Sequence, residues 1–169
     1  MPVIVRVAVG VLRDRDGCVL VALRPSHKHQ GDLWEFPGGK VEAGESSEAA
    51  LQREIFEELG VVVHHSEPLI TIPFIYPEKQ VSLEVREITA FDGEPYGREG
   101  QAVRWVPLKE LGSYAFPPAN APIINAIRLP ELVCVTGGYA SAEDFRLRVA
   151  QAIARDIGMI VIRPDGRMQ

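Results

Sequence analysis

Positive charge is in the minority, with 18 Lys and Arg against 23 Asp and Glu, a formal charge of −5 over 169 residues. Such a chain lacks the basic footprint through which polymeric nucleic acid is held by many phosphate contacts, so no DNA or RNA partner is expected. Long apolar runs are missing as well. None approaches the ~18 residues of a membrane span, and the start, Met1 to Arg6, has neither the basic n-region nor the apolar h-region of a signal peptide. No membrane association is expected, and a cytoplasmic location is. Cysteine is scarce: Cys18 and Cys134 each sit in an apolar, strand-like run. The ordinary reading is a buried thiol, since a disulfide needs geometry that spacing does not supply.

What the sequence does contain is 46% hydrophobic and 24% charged residues, the balance of a globular protein. The length suits one ordinary core with ~40 residues left over. Along the chain, Val3 to Leu12 and Cys18 to Leu23 flank turn chemistry at Asp14-Arg15-Asp16-Gly17 and read as a β-hairpin. A polar loop from Arg24 to Trp34 follows, then Glu35-Phe36-Pro37-Gly38-Gly39, a short extended piece that breaks into a permissive turn. Ser46 or Ser47 caps a helix running to about Leu59, and Gly60 stops it. Strands are expected at Val61 to Val63, Leu69 to Ile75, Val81 to Phe91 and Val103 to Val106. A helical turn is expected at Leu108 to Leu111 and a helix from Ala121 to Leu129, with Pro130 closing the domain. The sum is an α/β (α+β) domain with a mixed sheet.

The helix carries the chemistry. At ~100° per residue, Glu54, Glu57 and Glu58 share one face, and Leu51, Ile55 and Leu59 stack on the adjacent arc. Three carboxylates so close repel one another. The arrangement is either a solvated acidic face or a site for a cation, and hard oxygen ligands select Mg²⁺, with Mn²⁺ as a substitute. An acidic protein that handles an anionic substrate also needs local positive charge, which a divalent cation supplies.

Gly39, Glu45, Arg53, Glu54, Ile55, Glu57, Glu58, Gly60 and Val61 satisfy every specified position of G-x₅-E-x₇-R-E-U-x-E-E-x-G-U, with U apolar. Gly39 permits the turn, Glu45 approaches the helix start, and Arg53 is spaced to pair with Glu57 one turn on. In this the chain resembles the Nudix hydrolases. Val7-Ala8-Val9-Gly10, Glu35-Phe36-Pro37-Gly38-Gly39-Lys40, Gly93-Glu94-Pro95, Glu99-Gly100-Gln101 and Phe116-Pro117-Pro118-Ala119-Asn120 make it similar to the MutT-like branch over roughly residues 3 to 129.

The resemblance implies a Nudix fold, with a mixed sheet sandwiched between helices. It also implies Mg²⁺-dependent attack of water on the β-phosphorus of a nucleoside triphosphate, releasing a nucleoside monophosphate and diphosphate. The substrate expected is 8-oxo-dGTP, a mutagenic precursor that would otherwise enter DNA; the alternatives are another nucleotide or a non-catalytic nucleotide-binding module. Carried over by position, Gly38 (through its carbonyl), Glu54, Glu57, Glu58 and Glu99 would bind metal. Glu54 or Glu99 would act as the base, and Arg53 and Glu45 would support the catalytic helix. Arg24, His29, Glu35, Phe36, Pro37, Gly38, Lys79 and Asn120 would face the nucleotide. From the residues alone, Arg24 also reads as a surface charge, Lys79 as a turn residue, and Asn120 as the cap of the helix starting at Ala121. An amide at that position suits 8-oxoguanine, because it can donate to O6 and accept from N7–H, whereas guanine has an acceptor at N7.

After the domain spanning 1–130, residues 131–169 read as a separate βαβ unit. Leu132 to Thr136 is the first strand, Ser141 to Asp156 the helix, and Met159 to Arg163 the second strand. The segment resembles the first strand, helix and second strand of the thiamine-phosphate synthase barrel, and Arg163 fits that family's pattern. A (β/α)₈ barrel needs ~200 residues and draws its site from all round the ring, so no such activity is expected. The apolar surface of the unit must be covered, and a homodimer through residues 131–169 is the expectation.

Overall fold

A computed structural model of the protein describes residues 4–130, 133–135, 137–155 and 157–162. Contacts divide the chain into two units, Met1–Ala126 and Ile127–Gln169, ahead of the boundary expected after Pro130. In the first unit, β1 (Ile4–Leu12), β4 (Gly38–Lys40), β5 (Val62–Ile75) and β6 (Gln80–Asp92) form a four-stranded sheet in the order β4-β1-β6-β5. Strand β1 runs parallel to β6 and antiparallel to β4, and β5 runs antiparallel to β6, so the sheet is mixed as expected. A second, antiparallel sheet has the order β3-β2-β7, from β2 (Val19–Leu23), β3 (Trp34–Glu35) and β7 (Val103–Val106).

Two expectations about the strands change. The hairpin of β1 and β2 is reduced to a turn and one bridge, Arg13 to Val19. Asp14 closes that turn, its side chain accepting from the Cys18 N–H at 2.8 Å. Beyond it the strands part into different sheets, because β1 is flanked by β4 and β6 and β2 by β3 and β7. Second, the two runs expected at Val61 to Val63 and Leu69 to Ile75 are one strand. Strand β5 continues across Pro68, and its register shifts at Val63/His65, His65/Ser66 and Pro68/Ile70. It tolerates Pro68 and Pro73 because it lies at the sheet edge, where a missing N–H need not break a ladder on both sides. Arg86 pins the irregular stretch, donating from Nε to Ser66 Oγ at 2.8 Å and from Nη2 to the Ser66 carbonyl at 2.7 Å.

Alternation along β1 and β6 gives their sheet two functions. Ala8, Leu12 and Ile88 point toward helix α1 (Ser47–Leu59) and form a core with its Leu51, Ile55 and Leu59. Each of those three helix side chains is fully buried, worth about 1.5–3 kcal/mol. A side chain at Gly10 would lie 3.0–3.1 Å from Ile88, Ile55 and Leu51, so glycine lets α1 approach the strand. Val5, Val7, Val9, Val81 and Leu83 point the other way and floor a cavity. Leu108–Ser113 and Pro118–Asn120 are 3-10 turns, and α2 (Ala121–Ile127) stops short of Leu129. Cys18 and Cys134 are free and half-buried rather than buried. Among the described residues no helix is long and apolar enough to cross a membrane.

In the second unit, β8 (Val133–Val135) and β9 (Met159–Val161) pair in parallel and are joined through α3 (Ala142–Ala154). Ser141 caps α3 by accepting from the Asp144 N–H at 3.1 Å, as its sequence position suggests. The expected outer ends of these elements, at Leu132, Thr136, Asp156 and Arg163, lie outside the described residues.

Candidate active site

Helix α1 begins where Ser46 Oγ accepts from the Ala49 N–H at 3.1 Å, and ends where Gly60, at φ 71°, turns left-handed. With Leu51, Ile55 and Leu59 committed to the core, Arg53, Glu54, Glu57 and Glu58 are left on the remaining arc. Arg53 spreads its fork over that arc. Its Nε and Nη2 reach the two oxygens of Glu45 at 3.1 and 3.0 Å, Nη2 also reaches the Lys40 carbonyl at 3.0 Å, and Nη1 reaches Glu54 at 2.8 Å. Glu57, the partner its spacing suggests, is the most distant of these contacts at 3.5 Å. The bidentate grip on Glu45 wins because two parallel charge-assisted bonds outweigh one long exposed pair. The guanidinium holds the Glu45 carboxyl below its ordinary range, and the Glu42 N–H adds to the effect. One side chain thus ties the loop before the helix to the helix face.

Glu58 lies deeper. Burial pushes its carboxyl up to about 7, against the Gly38 N–H that donates to it at 3.2 Å; the charges of Glu35, Glu54 and Glu99 push further the same way. Gly38 and Gly39 bring backbone against Glu58 and Glu54. Gly38 has φ 144°, and a Cβ there would sit 2.1 Å from the Ala8 carbonyl oxygen. At Gly39 a Cβ would fall 2.1 Å from the Glu54 carboxyl carbon, so the Glu54 carboxylate lies over a surface only glycine leaves open.

The remaining expected ligands are more exposed than Glu54. Glu57 has a side chain 56% exposed. Glu99, on the loop between β6 and β7, is paired with Lys28 at 3.3 Å. Among the described residues no three carboxylate, histidine or cysteine side chains converge into a metal cluster.

Beside the carboxylates, across Gly38 and Gly39, lies a cavity of about 220 Å³ over the valine floor. It collects Arg24, His29, Glu35, Phe36, Gly38, Lys79 and Asn120 from the expected nucleotide set. Pro37 is not among its walls; the Pro37 carbonyl accepts from the Gly10 N–H at 2.8 Å and ties the bend before β4 to β1. Arg24 is ion-paired with Glu35 and donates from Nε to the His29 carbonyl at 3.0 Å, so it braces the cavity wall rather than projecting as a surface charge. Burial raises the Glu35 carboxyl, with Arg24 opposing.

Asn120 is 8% exposed, and its Oδ1 accepts from the Phe36 N–H at 3.4 Å. The side chain is therefore directed to the cavity wall and not to the amides of α2. Phe36 stacks on Phe116 with centroids 5.8 Å apart. The sequence reading missed Tyr76, which lines the cavity beneath Lys79 (5.6 Å to the ring) and against the His29 ring (5.4 Å). An aromatic immediately before Pro77 was the available signal, but its direction depends on how the chain leaves β5.

A family model described as the NUDIX domain matches residues 8–126. The chain is 40% identical over 124 residues to an 8-oxo-dGTP diphosphatase of Haemophilus influenzae, covering 73% of this chain and 91% of that one. It is also 36% identical over 118 residues to a CTP pyrophosphohydrolase of Escherichia coli, covering 70% and 87% respectively. A solved MutT structure, from work on the proteins of Aliivibrio salmonicida and Vibrio cholerae, superposes with a TM-score of 0.65 at 40% identity over 73% of this chain and 95% of that one.

Proposed function

The chain belongs to the Nudix family of phosphoric-anhydride hydrolases, and we propose on that footing that it hydrolyses a nucleoside triphosphate between the α- and β-phosphates, with 8-oxo-dGTP preferred. The observation that carries the preference is the Asn120 amide on the wall of an otherwise apolar-floored cavity, next to the Phe36 N–H.

The residues fit a divalent cation. Glu54, Glu57 and Glu58 offer hard oxygens on one arc of α1, and Glu58 is crowded by the charges of Glu35, Glu54 and Glu99, a condition a bound cation relieves. Glu54, Glu57, Glu58, Glu99 and the Gly38 carbonyl would hold Mg²⁺, with Mn²⁺ as a substitute. Such an ion supplies charge neutralisation for the phosphates and activation of water.

The protein's own groups do the rest. Glu54 has one oxygen engaged by Arg53 and the other lying over Gly39, and it accepts the proton as water attacks the β-phosphorus. The bond from that phosphorus to the α–β bridging oxygen breaks, giving a nucleoside monophosphate and diphosphate. Glu99, half-exposed and engaged by Lys28, is the second choice for the base. Arg53 keeps Glu54 oriented and the preceding loop closed through Glu45. In the cavity, Nδ2 of Asn120 donates to O6 of the base. Its Oδ1, sharing a long bond with Phe36, retains a lone pair for N7–H of the oxidised ring. With guanine that lone pair meets another acceptor.

Residues 131–169 have no part in this chemistry. Their exposed apolar side chains, among them Leu147, Ile153 and Val161, favour association with a second copy as their use.

Diphosphate release from 8-oxo-dGTP, dGTP and CTP tests the substrate. We expect kcat/KM for 8-oxo-dGTP to exceed that for dGTP by about 10⁴-fold or more, because the wrong base leaves buried groups unpaired. Equal values for the two guanine nucleotides refute the Asn120 reading. A preference for CTP favours the second reading, which the likeness to a CTP pyrophosphohydrolase supports.

A further inference from the structure

The loop carrying Glu99 lies outside any strand or helix. What fastens it is the end of α1. The last carbonyls of a helix have no partner within it, and here this loop takes them. The Tyr96 N–H donates to the Leu59 carbonyl at 3.2 Å and the Arg98 N–H to the Glu58 carbonyl at 2.9 Å, while Arg98 Nη1 reaches the Phe56 carbonyl at 2.8 Å.

Gln101 adds a bond of another kind. Its Nε2 donates to the Glu58 carbonyl at 3.0 Å, and its Oε1 accepts from the Glu99 N–H at 2.9 Å. One carboxamide thus joins the backbones of two residues whose side chains belong to the same site. The turn is drawn tight to allow it: a Cβ at Gly97 would lie 1.8 Å from the Gln101 carbonyl oxygen. The Glu99 side chain cannot hold the loop itself, since its one ion pair among the described residues, to Lys28, is about half-exposed at both ends and worth little.

We propose that Gln101 is a positioning residue, whose carboxamide sets where Glu99 stands relative to Glu58 and so whether both can serve one divalent cation. This rests on the phosphohydrolase reading of the site. The backbone bonds of Tyr96 and Arg98 attach the loop to α1. Gln101 acts on register, because among the described residues no other side chain bonds to the backbones of both Glu99 and Glu58.

The test is Mn²⁺ binding without nucleotide, followed by electron paramagnetic resonance, in the wild type, Gln101→Met, Glu99→Gln and the double variant. Methionine keeps the length of the side chain and removes both hydrogen bonds. Gln101→Met should weaken Mn²⁺ about tenfold or more, as loss of an outer-shell partner does. In the Glu99→Gln background it should add nothing further, because the residue it positions has already lost its charge. Wild-type affinity in Gln101→Met, or an effect of equal size in both backgrounds, overturns the proposal. Should Gln101→Met not fold, hydrogen exchange in the wild type decides. The Glu99 amide should be protected despite its exposed loop, and exchange at the free-chain rate overturns the bond on which the proposal stands. If the wild type hydrolyses none of the three nucleotides while the Mn²⁺ cycle behaves as expected, the substrate reading fails and the positioning role holds.

Discussion

Replacing Gly39 with alanine puts a methyl group 2.1 Å from the carboxyl carbon of Glu54 and 2.2 and 2.4 Å from its oxygens. Ordinary contact begins near 3.4 Å, so the carboxylate must retreat by about 1.3 Å, the difference between 3.4 and 2.1 Å. The retreating atoms are the end of a flexible side chain, and no left-handed backbone is required at position 39. The folding cost is therefore small: loss of the part-exposed Arg53–Glu54 pair, about 0.2–1 kcal/mol, and an off-rotamer Glu54, about 0.5–1.5 kcal/mol. At about 4 °C per kcal/mol for a domain of this size, Tm should fall by less than about 10 °C. The catalytic cost is larger, because a misplacement of about 1 Å is worth about 10²-fold in rate. Gly38→Ala is the contrasting control. There the obstacle is the Ala8 carbonyl oxygen, fixed in β1, and φ is 144°, so the fold itself should suffer. Thermal unfolding and initial rates of diphosphate release on both variants separate the two effects. Gly39→Ala that turns over within threefold of wild type at unchanged Tm would show that Glu54 is not where the reaction needs it.

Glu54→Gln should fold normally and lose about 10²–10⁴-fold in kcat, since basicity goes and volume stays; near-normal turnover with Mg²⁺ counts against the helix as the metal-binding and catalytic element. Asn120→Ala should raise KM for 8-oxo-dGTP far more than for dGTP, and equal losses would leave Asn120 as a brace for Phe36. Metal-free protein should lose stability as pH rises from about 4.5 to 7, because in that window folded Glu58 keeps a proton that the unfolded chain has released. The loss, at most about 3 kcal/mol, should vanish in Glu58→Gln when urea melts in chelator are compared at pH 5 and 8; an unchanged slope refutes the burial account. Deleting residues 131–169 should leave kcat/KM intact and abolish any dimer seen by sedimentation, and an equally dimeric truncated protein refutes the tail as the interface.

Helix α1 was legible in place and extent because its determinants are local: a serine cap, narrowed to Ser46 or Ser47, a 3.6-residue apolar period and a glycine stop. The Ser141 start of α3 was legible on the same ground, while its expected end at Asp156 lies outside the described residues. Strand partners were not legible, since pairing is chosen across the chain. The turn at Asp14–Gly17 exists, yet β1 prefers β6, about 70 residues away, to β2. Likewise Pro68 reads as a break until β5 is known to be an edge. In the site, the residue types followed from the motif but their partners did not. Spacing offered Arg53 the neighbour Glu57, whereas Glu45 approaches from outside the helix with both oxygens aligned. The valine alternation of β1 announced two faces without saying which one floors a cavity. The part played by Gln101 rests on bonds to residues 43 positions back and 2 positions back, a combination no local pattern encodes.

The rims of the four-stranded sheet have a bearing on how this molecule behaves in company. One rim is the three-residue β4; the other is β5, interrupted by Pro68 and Pro73 and kinked by its register shifts. A long, straight rim is a template on which neighbouring chains add strand by strand until they precipitate or form fibrils. Here each proline deletes a donor, and each kink turns the following stretch out of line with any incoming strand. Neither rim of this sheet is therefore a straight template for an incoming strand, and contact between copies through it has to be made by side chains on a face rather than by backbone along a margin.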